Sequence, residues 1–256
     1  MSGRGLLHGQ VALVTGAGGG IGRGIARRLA EEGAAVALHC RTSVASAQET
    51  AVAVREAGGR AVVLRADLTD EGACHRLVAE AAERFGGRLT ALVNNAGVQP
   101  VQELAGMTAA EWRAVVDTNL TSVFACTQAA ARLMRDQGGG SVTHIASVEA
   151  RFPAPGHAHY GAAKAAVVMH ARPAALEYGS WGVRVNTVSP GLIDREGLAD
   201  AWPEGVRRWR EASAVGRLGR PEDVGDACVF LASPLASWVT GHDLVVDGGA
   251  TSRPTW

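Results

Sequence analysis

The sequence predicts an α/β fold built on a parallel sheet, and three observations predict it. Short β-branched runs alternate along the chain with longer Ala-, Leu- and Arg-rich segments of helical period, the pattern of repeated strand–helix units. The first run leads straight into a glycine-rich loop that opens a helix. Gly58-Gly59, Gly86-Gly87 and Gly138-Gly139-Gly140 fall between the periodic segments and punctuate them.

Taken in order, strands are expected at Val11–Val14, Ala35–Leu38, Ala61–Leu64, Ala91–Val93, Ser141–Ile145, Val183–Val188 and Leu244–Val246. Helices are expected at Ile21–Glu32, Ala45–Ala57, Glu71–Phe85, Ala109–Arg135, His159–Tyr178 and Pro221–Leu231. Thr108 with Glu111 has capping-box spacing, and Pro221 suits a first helical turn. Pro173 falls well inside its helix, where it removes a backbone donor and crowds the carbonyl of Met169, so a kink is expected. The segment 191–212, with Trp202, Trp209 and several Arg, fits neither the sheet rhythm nor a simple polar loop. It reads as a small helical excursion that covers a site. No linker divides the chain, so residues 1–256 are read as a single domain.

Composition narrows the function. The 25 basic residues balance the 25 acidic ones, so no overall field attracts nucleic acid or an anionic membrane, and a small-molecule partner is expected. Apolar stretches fall short of the ~20 residues a membrane span needs. The N-terminal MSGRGLLHGQ lacks the apolar region of a signal peptide. Cys40, Cys74, Cys126 and Cys228 lie far apart with no C-x-x-C, which points to reduced thiols in the cytoplasm. The His residues show no metal spacing, and no metal is expected.

The glycine loop runs Thr15-Gly-Ala-Gly-Gly-Gly-Ile-Gly22. Strict G-x-G-x-x-G fails, because Ile21 stands where the third Gly would follow Gly16 and Gly18. The spacing that fits is G-x-x-x-G-x-G through Gly16, Gly20 and Gly22, with Gly19 between. Bare backbone and a helix N-terminus together suit a pyrophosphate. The second strand ends His39-Cys40-Arg41-Thr42-Ser43, with no acid to meet a ribose 2′-hydroxyl. Arg41, with Thr42 or Ser43 as further donors, therefore favours NADP(H), while NAD(H) stays open.

Tyr160-Gly-Ala-Ala-Lys164 places a phenol and an ammonium on one helical face. A neighbouring cation favours the phenolate, so the pair can donate or accept a proton.

With the glycine loop, Asn94-Asn-Ala-Gly97, Ser147 and Tyr160-x-x-x-Lys164 in hand, the chain resembles the short-chain dehydrogenase/reductase superfamily over Gly9 to Gly249. The stretches Gly216-Arg-Leu-Gly-Arg-Pro-Glu-Asp-Val224 and Thr240-Gly-His-Asp-Leu-Val-Val-Asp-Gly-Gly249 resemble the compact branch that includes 3-oxoacyl-carrier-protein reductases and sugar or steroid dehydrogenases. The resemblance implies a Rossmann fold with a doubly wound seven-stranded parallel sheet and helices on both faces, assembled as a homotetramer or homodimer. It implies Tyr160 as acid for carbonyl reduction or base for alcohol oxidation, with Lys164 lowering its pKa and holding the nicotinamide ribose. Ser147 would bind the substrate oxygen, and Asn119 would support a water relay to Lys164. Asp67 and Leu68 match the adenine contacts, Asn94, Ala96 and Gly97 the turn beside the adenosine ribose, and Pro190, Gly191 and Ile193 the segment along the nicotinamide amide.

The same resemblance puts Gln99, Glu149, Arg151, Phe152, His157, Trp202 and Trp209 on the substrate side, a polar set with aromatic walls that suits a hydroxylated or charged ketone. Arg195 stands where the family commonly has Thr; it faces an anionic substrate group or stays solvated in a lid. The leading expectation is an NADP(H)-dependent carbonyl reductase or secondary-alcohol dehydrogenase. The alternatives are a non-catalytic sensor or scaffold of the same fold, whose relatives tend to lose the tetrad Asn119, Ser147, Tyr160 and Lys164, and an epimerase or dehydratase, whose relatives carry a larger C-terminal region.

Overall fold

Among the described residues seven strands form, each where a β-branched run predicts one: β1 (Val11–Val14), β2 (Ala35–Cys40), β3 (Arg60–Arg65), β4 (Ala91–Asn94), β5 (Gly140–Ile145), β6 (Val183–Pro190) and β7 (Asp243–Val246). The structure, a computed structural model, describes residues 5–252. Part of MSGRGLLHGQ thus lies outside the described residues. All neighbouring strands pair in parallel in the order β3-β2-β1-β4-β5-β6-β7, as expected.

The sheet is covered on both faces, which explains why β1 is buried at every position. Its alternate residues feed two separate cores. Ala12 and Val14 join Ile25, Leu29, Val36, Leu38, Cys228 and Leu231 beneath α1 (Gly20–Glu31), α2 (Val44–Glu56) and α9 (Pro221–Ala232). Val11 and Leu13 join Leu77, Leu92, Cys126, Met134 and Val185 beneath α3 (Glu71–Glu83), α5 (Ser122–Asp136) and α6 (Ala158–Tyr178). Each Leu in these layers contributes roughly 2 kcal/mol by leaving water.

Predicted punctuation holds at Thr108 and Glu111, which form the reciprocal capping box of α4 (Ala109–Val116), and at Pro221, which opens α9. The predicted helix 109–135 differs in one respect. Between α4 and α5 the chain makes a wide π-turn over Asp117–Thr121, with Asn119 inside it. Neither Gly nor Pro marks the place, so periodicity does not reveal it. Helix α6 continues through Pro173 to Tyr178. The excursion after β6 forms α7 (Leu198–Ala201) and α8 (Pro203–Ala212), held by a small apolar cluster of Leu192, Leu198, Val206, Trp209 and Leu218.

Among the described residues no helix is long and apolar enough to cross a membrane, and no group of three or more His, Cys, Asp or Glu could hold a metal ion. The four cysteines are buried free thiols.

Candidate active site

Strand order reverses between β1 and β4, so the connections leaving these two strands run in opposite directions and open a crevice at their C-terminal ends. The side chain of Thr15 closes the floor of that crevice. Its Oγ1 accepts from the backbone N–H groups of Asn95 (2.9 Å) and Ala96 (3.0 Å). Asn95 returns the contact, its Nδ2 donating to the carbonyls of Thr15 (2.9 Å) and Gly16 (3.1 Å). Gly16 has φ 67°, and a Cβ there would lie 2.8 Å from the Cα of Ala96. A Cβ on Gly22 would strike the Gly16 carbonyl, and one on Gly18 would strike Ser43. The loop therefore needs bare backbone, and it presents that backbone at the N-terminus of α1, as a pyrophosphate requires.

The sequence places Asn94 at this turn, where its backbone ends β4. The Asn94 side chain points into the protein, where its amide donates to Thr127 Oγ1 (3.0 Å) and meets His144 Nδ1 (3.2 Å). Asn95 holds the loop instead. A second residue that no local pattern reveals is His39, at the end of β2. The N–H of Gly16 donates to its Nδ1 (3.2 Å), so the ring proton sits on Nε2 and donates to the Ala66 carbonyl (3.1 Å). Burial lowers the His39 pKa, outweighing the opposing pull of the Ala66 carbonyl and Asp67. A neutral imidazole thus ties the glycine loop to the segment before Asp67 and Leu68.

Arg41, Thr42 and Ser43 are exposed on the loop after β2. Asp67 is exposed and receives both the N–H and the hydroxyl of Thr69, which hold its carboxyl below the usual range, while Leu68 is buried. Pro190 ends β6 opposite Val246; the N–H of Gly191 donates to the Val246 carbonyl (3.0 Å), and Ile193 bridges to Gly219.

The tetrad residues meet beyond the ends of β4 and β5. Tyr160 and Lys164 stand one turn apart on α6, with the Lys164 Nζ 5.6 Å from the phenol ring centroid. The buried Nζ donates to the Ile145 carbonyl at 2.7 Å. Asn119 is fully buried, and its amide pairs reciprocally with Val98, accepting from the N–H and donating to the carbonyl, both at 2.8 Å. Gly97 lies between them: a Cβ there would be 2.9 Å from Asn119 Oδ1 and 3.7 Å from Lys164 Nζ. Ser147 follows β5 and caps the short turn Val148–Ala150, its Oγ accepting from the N–H of Glu149 (3.1 Å).

The electrostatics depart from expectation. Burial pushes the Tyr160 phenol up to about 12; the Ser147 hydroxyl opposes the shift and the Glu149 carboxylate adds to it. Burial also lowers Lys164 to about 8. In this geometry the ammonium is turned to Ile145 and lies 5.6 Å from the ring centroid, and burial is the larger influence on the phenol.

Of the residues expected on the substrate side, Gln99, Glu149 and His157 form one hydrogen-bonded group, with the His157 and Tyr160 rings 6.1 Å apart. Phe152 is half exposed. Arg151 is committed elsewhere, paired with Asp243. Trp202 lies over Gly205 with half its surface exposed, whereas Trp209 is taken up in the apolar cluster of the excursion, so it packs that segment together. Arg195 is exposed at the start of the excursion. A cavity of about 680 Å³ opens at the opposite, N-terminal end of the strands, lined by residues such as Gln10, Arg27, Arg60 and Phe85, and holds none of the tetrad.

The family model described as Enoyl-(Acyl carrier protein) reductase matches residues 16–251. The cis-4-hydroxycyclohexanecarboxylate dehydrogenase of Sinomonas cyclohexanicum is 42% identical over 245 residues, which cover 95% of this chain and 97% of that protein. A solved structure from Sinorhizobium meliloti, assigned to the short-chain alcohol dehydrogenases, superposes with a TM-score of 0.92 at 38% identity, covering 97% of this chain and 98% of its own. Another, an NAD(P)-dependent protein from Beutenbergia cavernae with NADP bound at low occupancy, has a TM-score of 0.89 at 34% identity and covers 96% of this chain and 98% of its own.

Proposed function

The chain belongs to the short-chain dehydrogenase/reductase superfamily, and on that footing we propose that it is an NADP(H)-dependent enzyme interconverting a ketone and a secondary alcohol. The observation that carries this reading is the meeting of Ser147, Tyr160 and Lys164 beside a crevice bordered by a bare glycine loop. The loop from Gly16 to Gly22 would hold the pyrophosphate, Asp67 and Leu68 the adenine, Ala96 and Gly97 the adenosine ribose, and Pro190, Gly191 and Ile193 the nicotinamide amide. Arg41, Thr42 and Ser43, free of any acid at the end of β2, would take a 2′-phosphate.

The nicotinamide cofactor supplies the hydride in reduction and takes it in oxidation. Charge develops on the substrate oxygen, and donors at Ser147 and Tyr160 stabilise it. Tyr160 delivers its proton to that oxygen in reduction and receives it back in oxidation. A phenol raised to about 12 is a weak acid, so full proton transfer needs Lys164 charged and turned toward it. Asn119, locked to Val98, fixes the turn behind Lys164. The site is a cytoplasmic small-molecule site in this reading, and the chain acts as a homotetramer or homodimer.

Turnover of a panel of ketones and secondary alcohols, followed by the absorbance of reduced nicotinamide, tests the reading. Tyr160→Phe is expected to lower kcat at least a thousandfold, roughly the general-acid contribution, while cofactor still binds; retained activity rejects the mechanism. Arg41→Ala is expected to erase a preference for NADPH, and a wild-type preference for NADH rejects the cofactor assignment.

A further inference from the structure

Beside Tyr160, three polar side chains from three segments close on one another. Glu149 follows Ser147 by two residues, His157 precedes Tyr160 by three, and Gln99 lies in the turn after β4. Gln99 Nε2 donates to Glu149 Oε1 at 2.8 Å, and His157 Nδ1 lies 2.9 Å from Glu149 Oε2. A carboxylate only accepts, so Nδ1 carries the proton. The 3.3 Å approach of Gln99 Nε2 to His157 Nδ1 then joins two donors and is not a hydrogen bond. In the neutral form of the ring this assignment leaves His157 a lone pair on Nε2, and it leaves Gln99 a second N–H and its carbonyl oxygen. The Glu149 and His157 side chains are each 17% exposed, enclosed yet still open to solvent. Their position is set relative to the reacting centre: the His157 ring meets the Tyr160 ring edge-on at 6.1 Å, and the Glu149 N–H is held by Ser147 Oγ.

Resting on the assignment of Tyr160 as the proton-transfer group, we infer that Glu149, His157 and Gln99 form a hydroxyl-recognising subsite, and that the substrate is a diol, polyol or hydroxyketone with a second hydroxyl one or two carbons from the reacting carbon. Such a hydroxyl donates to His157 Nε2 or a Glu149 oxygen and accepts from the free N–H of Gln99. A carboxylate or phosphate at the same place would face the charge of Glu149. A hydrocarbon there would strip water from three polar groups and return nothing.

The test is kcat/KM of the full chain with NADP⁺ for matched pairs: 2-butanol against 2,3-butanediol, and cyclohexanol against 1,2- and 1,3-cyclohexanediol, with 2-aminocyclohexanol and 2-hydroxycyclohexanecarboxylate as the charged counterparts. The expected result is a preference of roughly tenfold or more for a diol over its mono-alcohol, the effect of one hydrogen bond to a charged group. Glu149→Ala and Gln99→Leu are each expected to reduce that ratio to within about threefold of unity. Should a variant fail to fold, the wild-type ratio alone decides. Equal rates for alcohol and diol, or a preference for the amine or the carboxylate, overturn the subsite and leave the dehydrogenase reading standing. Cofactor binding without turnover of any compound overturns the dehydrogenase reading, and the subsite falls with it.

Discussion

Arg151 reaches from the turn after Ser147 to Asp243 at the start of β7, with its guanidinium 2.9 Å from Oδ2. The other oxygen of Asp243 receives the hydroxyls of Thr187 and Ser189, each at 2.7 Å. Oδ2 accepts no well-aligned hydrogen bond, so charge attraction alone balances it. The Asp243 side chain is 3% exposed and that of Arg151 is 50% exposed. Arg151→Ala therefore strands a buried carboxylate, and a destabilisation of about 2 kcal/mol is expected, below the cost of breaking a fully buried pair because water reaches the arginine side. Urea denaturation measures it. Asp243→Asn, which removes the charge and keeps the hydroxyl contacts, is expected to cost less.

Lys164 and Tyr160 set opposite pH trends in stability. Lys164 falls from 10.5 to about 8 in the folded protein, so between those values the unfolded chain binds the extra proton and stability rises with pH. Tyr160 rises from 10.0 to about 12, so above pH 10 the folded protein holds a proton that the unfolded chain releases, and stability falls. Unfolding free energy measured from pH 7 to 11 should climb above 8 and turn down above 10. Lys164→Met is expected to flatten the climb, and Tyr160→Phe the downturn.

His39 and the N–H of Gly16 make a test of loop positioning. His39→Ala leaves that N–H and the Ala66 carbonyl without their partner. Cofactor affinity is expected to weaken about tenfold, one hydrogen bond's worth of loop order, by fluorescence titration. In the wild type, the lowered pKa keeps the ring neutral below its ordinary 6.5. Its contribution is complete above that value and lost as pH falls through the lower folded-state value, so affinity should hold at mildly acid pH before dropping.

Adjacent asparagines should separate stability from binding. Asn94→Ala orphans Thr127 and His144 in the interior and is expected to cost about 1–3 kcal/mol in denaturation, with cofactor affinity little changed. Asn95→Ala frees the carbonyls of Thr15 and Gly16 at the crevice, and is expected to show mainly as a raised cofactor Kd.

How far the fold is legible depends on which physics a sequence displays. Strands such as Val11–Val14 and caps such as Thr108 with Glu111 are written in local residue types, and the structure carries them without displacement. Glycines 16, 20 and 22 are readable because their spacing encodes where bare backbone is needed. The roles of His39, Asn95 and Arg151 are not, because each acts on a segment brought near only by the sheet order. Asn94 and Asn95 share a residue type, and only the direction in which the chain leaves β4 distinguishes the inward amide from the outward one. The sign of the Tyr160 shift is also hidden, since it depends on burial and on which way Lys164 turns.

The π-turn at Asp117–Thr121 gives the number of residues between two helices a meaning of its own. One residue more than an α-turn uses is accommodated there, and each added residue swings the downstream helix by roughly 100° about the axis. Deleting a single residue would let α4 and α5 fuse into a regular rod and would satisfy the helix better as a helix. It would also turn the buried face of α5 away from Leu92 and carry Asn119 off Val98. Here local regularity and the tertiary arrangement compete, and the length of the segment decides for the tertiary arrangement.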